Sequence, residues 1–228
     1  MTIHGEPITA KKPKAVAAAG PGSARDDLAY IKAIAEEGRN TPLVGGRNFF
    51  VWGALIGTAA LAVFLMETGA IPAFNQMILW SGALAIGWVL SFVINSRSSE
   101  RPGASSLSNR TVNAAWLACG IFVTVYWLSI VAASLLVQEG GYPVRFLFAT
   151  MFPVAFGLYG LAFFATAVVA HQPWYRWVSV VSWAIACALL LSLAVWPVAY
   201  MLVAAIGTYA VVLAPGYVML RNEPSDIV

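Results

Sequence analysis

Long apolar blocks parted by short polar breaks carry most of this chain. From Asn48 onward, six such blocks stand at 48–66, 73–94, 112–137, 146–170, 174–193 and 197–218. Each is near or above the ~20 residues that a helix needs to cross the hydrocarbon core of a bilayer. The blocks are continuously apolar rather than alternating, which predicts helices and not barrel strands. The expected fold is all-α and integral to a membrane, a six-helix transmembrane bundle over residues 48–220. The tightest break is "AVWPV" between the fifth and sixth blocks, where Pro197 is expected to open a new helix.

The tail ahead of the bundle divides in two. Residues 1–22 are rich in Ala, Gly, Pro and Lys and read as a disordered basic arm. Residues 23–47 read as a cytoplasmic amphipathic helix followed by a juxtamembrane elbow. Ser23 is placed to cap that helix and Gly38 to end it. Leu28, Ile31 and Ile34 fall on one face. Asp26, Asp27, Glu36 and Glu37 bracket this stripe, with Lys32 the single basic residue inside it. A helix that lies on anionic lipid is normally rich in Lys and Arg, so the stripe is expected to dock on protein. The elbow writes one tripeptide twice, Gly38-Arg39-Asn40 and Gly46-Arg47-Asn48. A phosphate loop would end in Gly-Lys-Ser/Thr after a strand, and neither is present. Arg39 and Arg47 are expected at anionic headgroups instead, where attraction is worth about 1 kcal/mol per basic residue. Residues 221–228 form a short cytoplasmic tail.

Composition sharpens this picture. Of the 228 residues, 60% are hydrophobic and 10% charged, against about half and a quarter in a soluble domain. Nine Trp and eight Tyr suit a protein with two lipid–water interfaces to mark. A net charge of +3 could suggest nucleic acid, but the basic residues collect beside the apolar blocks, so no nucleic-acid partner is expected. Of the 13 Lys and Arg, Arg145 alone falls on one side and the rest on the other. That bias places both termini in the cytoplasm.

No Asp, Glu, Lys, Arg or His stands in the central part of any block. Proton relays, axial haem ligands and metal sites need such residues, and a nucleophile needs a base beside it. No catalytic, metal or cofactor residue is therefore expected, and the chain is not expected to be an enzyme. Gly53 and Gly57, and Gly157 with Gly160, read as tight helix packing within the chain. Cys119 and Cys187 read as small core residues. Pro153 and Pro215 are candidate kinks.

The segments "DDLAYIKAIAEEGRNTPLVGGRNFFVWG" and "APGYVMLRNEPSDIV" resemble those of uncharacterised six-span inner-membrane proteins of proteobacteria. The resemblance implies a multi-pass protein of the bacterial plasma membrane and carries over no catalytic or ligand residue. Two functions follow. One is a non-enzymatic accessory or sensory subunit whose cytoplasmic face docks a protein partner. The alternative is a permease or channel for a neutral or weakly polar solute. A closed bundle favours the first. A contiguous cavity bounded by the fourth and sixth spans favours the second. The lipid bilayer is a partner in both cases. A homo-oligomer is permitted and finds no support in the sequence.

Topology gives the first prediction. Reporter fusions after Arg101 and Pro224 should report cytoplasm, and fusions after Gly69 and Gly140 the outside. A cytoplasmic signal after Gly140 would overturn the six-span arrangement.

Overall fold

The computed structural model describes residues 26–30, 32, 43, 45–98, 106–136 and 144–222. Residues 26–30 and 32 belong to a separate unit and are helical. Leu28 is exposed there, whereas Ile31, Ile34 and Arg39 lie outside the described residues. The remainder is all-α among the described residues, as the apolar blocks predict. Its helices are α1 (Gly46–Glu67), α2 (Gln76–Ser98), α3 (Leu107–Leu136), α4 (Val144–Ala149), α5 (Met151–Val169), α6 (Trp174–Val195), α7 (Tyr200–Thr208) and α8 (Ala214–Asn222). A 3-10 turn at Pro197–Ala199 leads into α7, and a π-turn at Tyr209–Leu213 joins α7 to α8. Six stretches are long and apolar enough to cross a membrane. Four are α1, most of α2, α3 and α6; the fourth span runs from α4 through α5, and the sixth from Pro197 to Asn222.

Burial sorts the spans into an inner and an outer set. Half of the fourth span is buried, 44% of the sixth and 33% of the first, against 17%, 11% and 17% for the second, third and fifth. The first, fourth and sixth spans thus form the centre, and α2, α3 and α6 present most of their surface outward. Cys187, on α6, is exposed and so is not the core residue expected from its apolar surroundings.

Two different seams hold the centre. Lipid tails are as apolar as the side chains, so membrane helices associate by close packing and hydrogen bonds rather than by hydrophobic burial. The first seam is backbone against backbone. A methyl group added at Gly53 would stand 2.5 Å from the Leu213 nitrogen, one at Gly46 2.6 Å from that of Leu220, and one at Gly216 2.6 Å from that of Phe50. Gly57 faces the Tyr209 ring in the same way. The small-residue step in the first block is therefore packing within the chain, against the sixth span. The second seam joins α5 to α6 by side-chain donors. Ser179 donates to the Gly160 carbonyl at 2.6 Å, Ser182 to Phe156 at 2.7 Å and Trp183 Nε1 to Gly157 at 3.2 Å. Each carbonyl has a second lone pair free for this use.

Of the two candidate kinks, Pro153 coincides with a break in its helix, and that break has a compensation. Pro153 has no N–H to give the carbonyl of Ala149, four residues back, and the fourth span breaks at Thr150 between α4 and α5. The Tyr200 hydroxyl, from the sixth span, donates to that Ala149 carbonyl at 2.5 Å. Thr150 donates to Leu147 at 2.6 Å and accepts from the Tyr126 hydroxyl at 2.6 Å, so α3 is pinned to the same break. Pro215, the second residue of α8, cannot donate to the Val211 carbonyl, and the π-turn ends two residues before it without interrupting the helical run.

The glycine seam predicts an asymmetry between two similar substitutions. Gly53→Ala forces a methyl into the Leu213 backbone and should cost about 1–3 kcal/mol, the usual penalty for overpacking. At Gly157 an added methyl meets nothing within 4 Å, so Gly157→Ala should be neutral or mildly stabilising. Reversible unfolding in mixed micelles reads both. Equal losses at the two positions would remove the seam from its central role.

Candidate functional site

The α2 and α3 helices face each other through side chains rather than by close backbone packing. Trp88 Nε1 donates to Thr124 Oγ1 at 3.0 Å across the gap, and the Trp88 ring lies over Gly120. Elsewhere the space between these helices and the central spans stays open as two chambers of about 450 Å³ each. That volume lies within the range of small-molecule sites.

The first chamber reaches towards the end of the bundle where α1 begins, and Arg47, Asn95 and Asn113 line it there, with Ser91, Trp88 and Trp116 further along their helices. The second reaches towards the opposite end, lined by Glu67, Gln76 and Pro197 and by Trp80, Trp127 and Tyr200. It is bounded by the fourth span from Phe148 to Phe156 and by the sixth from Pro197 to Thr208. Trp52, Leu84, Val123 and Tyr159 line both chambers and form a common waist. Arg47 is the one charged side chain on the described walls of the first chamber, and Glu67 on those of the second.

Local sequence explains the waist. Gly87 has no side chain, so the Trp52 ring lies flat on α2; a methyl there would stand 2.5 Å from the ring. Trp52 Nε1 donates to Ser91 Oγ at 2.8 Å, and its ring meets Trp88 edge-to-face at 6.1 Å. Tyr159 is held from the other side by Trp116 and Phe156, with ring centres 5.8 and 5.9 Å away.

The repeated tripeptide now divides by residue. Gly45 takes a positive φ of 155°, and Gly46 is buried against the backbone of α8. Arg47 is exposed and lines the first chamber. Asn48 donates from Nδ2 to Asn95 Oδ1 at 2.7 Å, tying α1 to α2, while its own Oδ1 is buried without a hydrogen-bond partner among the described residues. The first copy, Gly38-Arg39-Asn40, lies outside the described residues.

The aromatic residues correct one expectation. Trp was expected to mark the two membrane faces, and Trp177 and Trp196 are indeed largely exposed. Trp52, Trp88 and Trp116 instead turn inward, because each indole N–H finds a side-chain hydroxyl, Ser91, Thr124 or Thr166. Tyr175, one of the eight Tyr, is likewise not at a membrane face but 1% exposed, stacked on Phe163 and Trp174. Hydroxyls elsewhere bond back along their own helices, as at Ser129, Thr166 and Thr208. Among the described residues no three His, Cys, Asp or Glu side chains come together in a way that could hold a metal ion. The waist residues and the inward Trp carried no signal in the sequence, since a lipid-facing and a chamber-facing apolar residue read alike. No family model, no curated protein and no solved structure matches this chain.

Tyr200 links this chamber to the fold. Tyr200→Phe removes the donor to the Ala149 carbonyl and should cost about 1–3 kcal/mol, the penalty for an abandoned buried acceptor. Unfolding in mixed micelles measures it. A loss under about 0.5 kcal/mol would mean that the break at Thr150 needs no such support.

Proposed function

We propose that this chain is a non-enzymatic permease, which binds a neutral, largely apolar solute and passes it through the membrane by way of the two chambers. One observation carries the reading: two chambers that reach towards opposite ends of the bundle share four lining side chains, without a charged residue on the described walls between Arg47 and Glu67. An intramembrane carboxylate or His would suit a proton relay or an ion, whereas Trp, Tyr, Phe, Met and Leu suit an uncharged guest. The alternative, an accessory subunit docking a partner through Leu28, Ile31 and Ile34, gains nothing from the bundle, because a closed interior was its expected mark. We place the protein in a bacterial plasma membrane with both termini cytoplasmic, on the strength of the basic bias. The Arg47 chamber then faces the cytoplasm and the Glu67 chamber the outside.

A thiol at the waist tests this. In a chain carrying Cys119→Ser and Cys187→Ser, Leu84→Cys should react with N-ethylmaleimide in native membranes, because the chambers admit water. Leu190→Cys, on the outer face of α6, should react far more slowly. Adding Val123→Trp should fill the waist and slow the Leu84→Cys reaction about tenfold. Reaction at Leu84→Cys no faster than at Leu190→Cys would defeat the passage.

A further inference from the structure

The indole groups of this protein can be accounted for one by one. Of the nine Trp, Trp177 and Trp196 are exposed at 74% and 67%. Five of the other seven donate to an oxygen: Trp52 to Ser91, Trp88 to Thr124, Trp116 to Thr166, Trp174 to Gln172 and Trp183 to Gly157. Trp80 and Trp127 have no acceptor among the described residues, and both line the Glu67 chamber. Trp127 is only 6% exposed. Tyr159, whose hydroxyl also has no partner among the described residues, stands at the inner end of the same chamber.

Inside a bilayer water is scarce and hydrocarbon offers no acceptor, so an indole N–H within a span is normally satisfied by the protein. Asn48 Oδ1 is the only described polar side-chain atom sealed from the surface without a partner, so the Trp80 and Trp127 nitrogens are open to the chamber. Trp80 and Trp127 meet Phe152 and Phe148 edge-to-face, with ring centres 5.5 and 5.4 Å apart. A ring face is a far weaker acceptor than an oxygen. An indole from α2, an indole from α3 and a phenol from α5, none with an acceptor among the described residues, thus line one largely apolar chamber.

We infer that the Glu67 chamber selects guests by a hydrogen-bond-accepting oxygen, and that its ligands are apolar molecules bearing a carbonyl, held through Trp80 Nε1, Trp127 Nε1 and the Tyr159 hydroxyl. The inference rests on the proposed binding of an apolar solute and adds the chemical group that is recognised. A guest with donors only would leave the three N–H and O–H groups unpaired. A pure hydrocarbon would fill the space and leave them unpaired as well. Selection of this kind comes from the polar groups that a wrong guest strands, more than from the attraction that the right one gains.

The test compares two guests of equal length, 2-undecanone and undecane, on the full chain in nanodiscs with its Trp labelled by nitrogen-15. Trp80→Phe and Trp127→Phe assign the two resonances. The ketone should shift the indole N–H signals of Trp80 and Trp127, leave that of Trp183 unmoved, and bind about tenfold more tightly than the alkane. The pair Trp80→Phe and Trp127→Phe should erase that preference while alkane binding persists. If that variant does not fold, the shifts in the wild-type chain decide alone. Equal binding of the two guests, or a ketone that leaves both indoles unmoved, overturns the carbonyl inference and leaves the chambers as apolar sites. Failure of either guest to bind overturns the inference together with the solute-binding reading beneath it.

Discussion

Hydrocarbon gives a polar atom nothing to bond with, and the architecture of this bundle is a set of answers to that constraint. A proline inside a span frees a carbonyl, and the protein supplies a new donor. Tyr200 does so for Ala149 across a distance of 51 residues in sequence. Serine and threonine hydroxyls return to carbonyls of their own helix or reach the next one. Indoles turn inward where a hydroxyl waits. The α5–α6 seam uses the same chemistry, since its three donors go to backbone carbonyls that already serve their own helix. The constraint also makes the exceptions informative. A polar atom with no partner here points to something outside the chain, as it would not on a wet surface.

The glycine seam decides where the free space lies. With no side chains at Gly46, Gly53 and Gly216, α1 and the sixth span close onto each other at backbone distance. The fourth span is riveted to α6 and completes the centre. The volume that tight packing removes there stands open on the other side, where α2 and α3 face the centre with large aromatic side chains. Bulky residues lean on small ones at several points, Trp52 on Gly87 and Trp183 on Gly160.

The six-helix fold was legible in the sequence because hydropathy over ~20 residues is a strong signal and the bilayer admits few alternatives. The separate helix at Pro197 and the break near Pro153 were legible because proline lacks a donor wherever it stands. The role of Gly53 and Gly57 was open to the same reading, with its partner unknown. The chambers were not legible. Leu84 and Val123 face a waist and Leu190 faces outward, yet all three are aliphatic residues in an apolar block. Helical periodicity finds a buried stripe only when the other side of the helix is polar. In lipid both sides are apolar, so the stripe vanishes. Trp80 was hidden for a related reason, because an indole near a helix end suits an interface as well as a pocket, and Trp127, well inside α3, reads like any other apolar residue of its block.

The π-turn at Tyr209–Leu213 has a consequence for how the last span is written. An α-helix advances about 100° per residue, and a turn that takes up one residue more shifts the phase of everything after it. Before the turn, Gly207 meets Phe156 and Ile185. After it, Gly216 meets Phe49 and Phe50, and Tyr217 carries the guanidinium of Arg221 over its ring at 5.8 Å. Loss of a single residue from this turn would leave a continuous helix with the same composition, but its end would be turned about a quarter of the way round. The sixth span is thus two messages in different frames, and the spare residue between them sets where its terminus points.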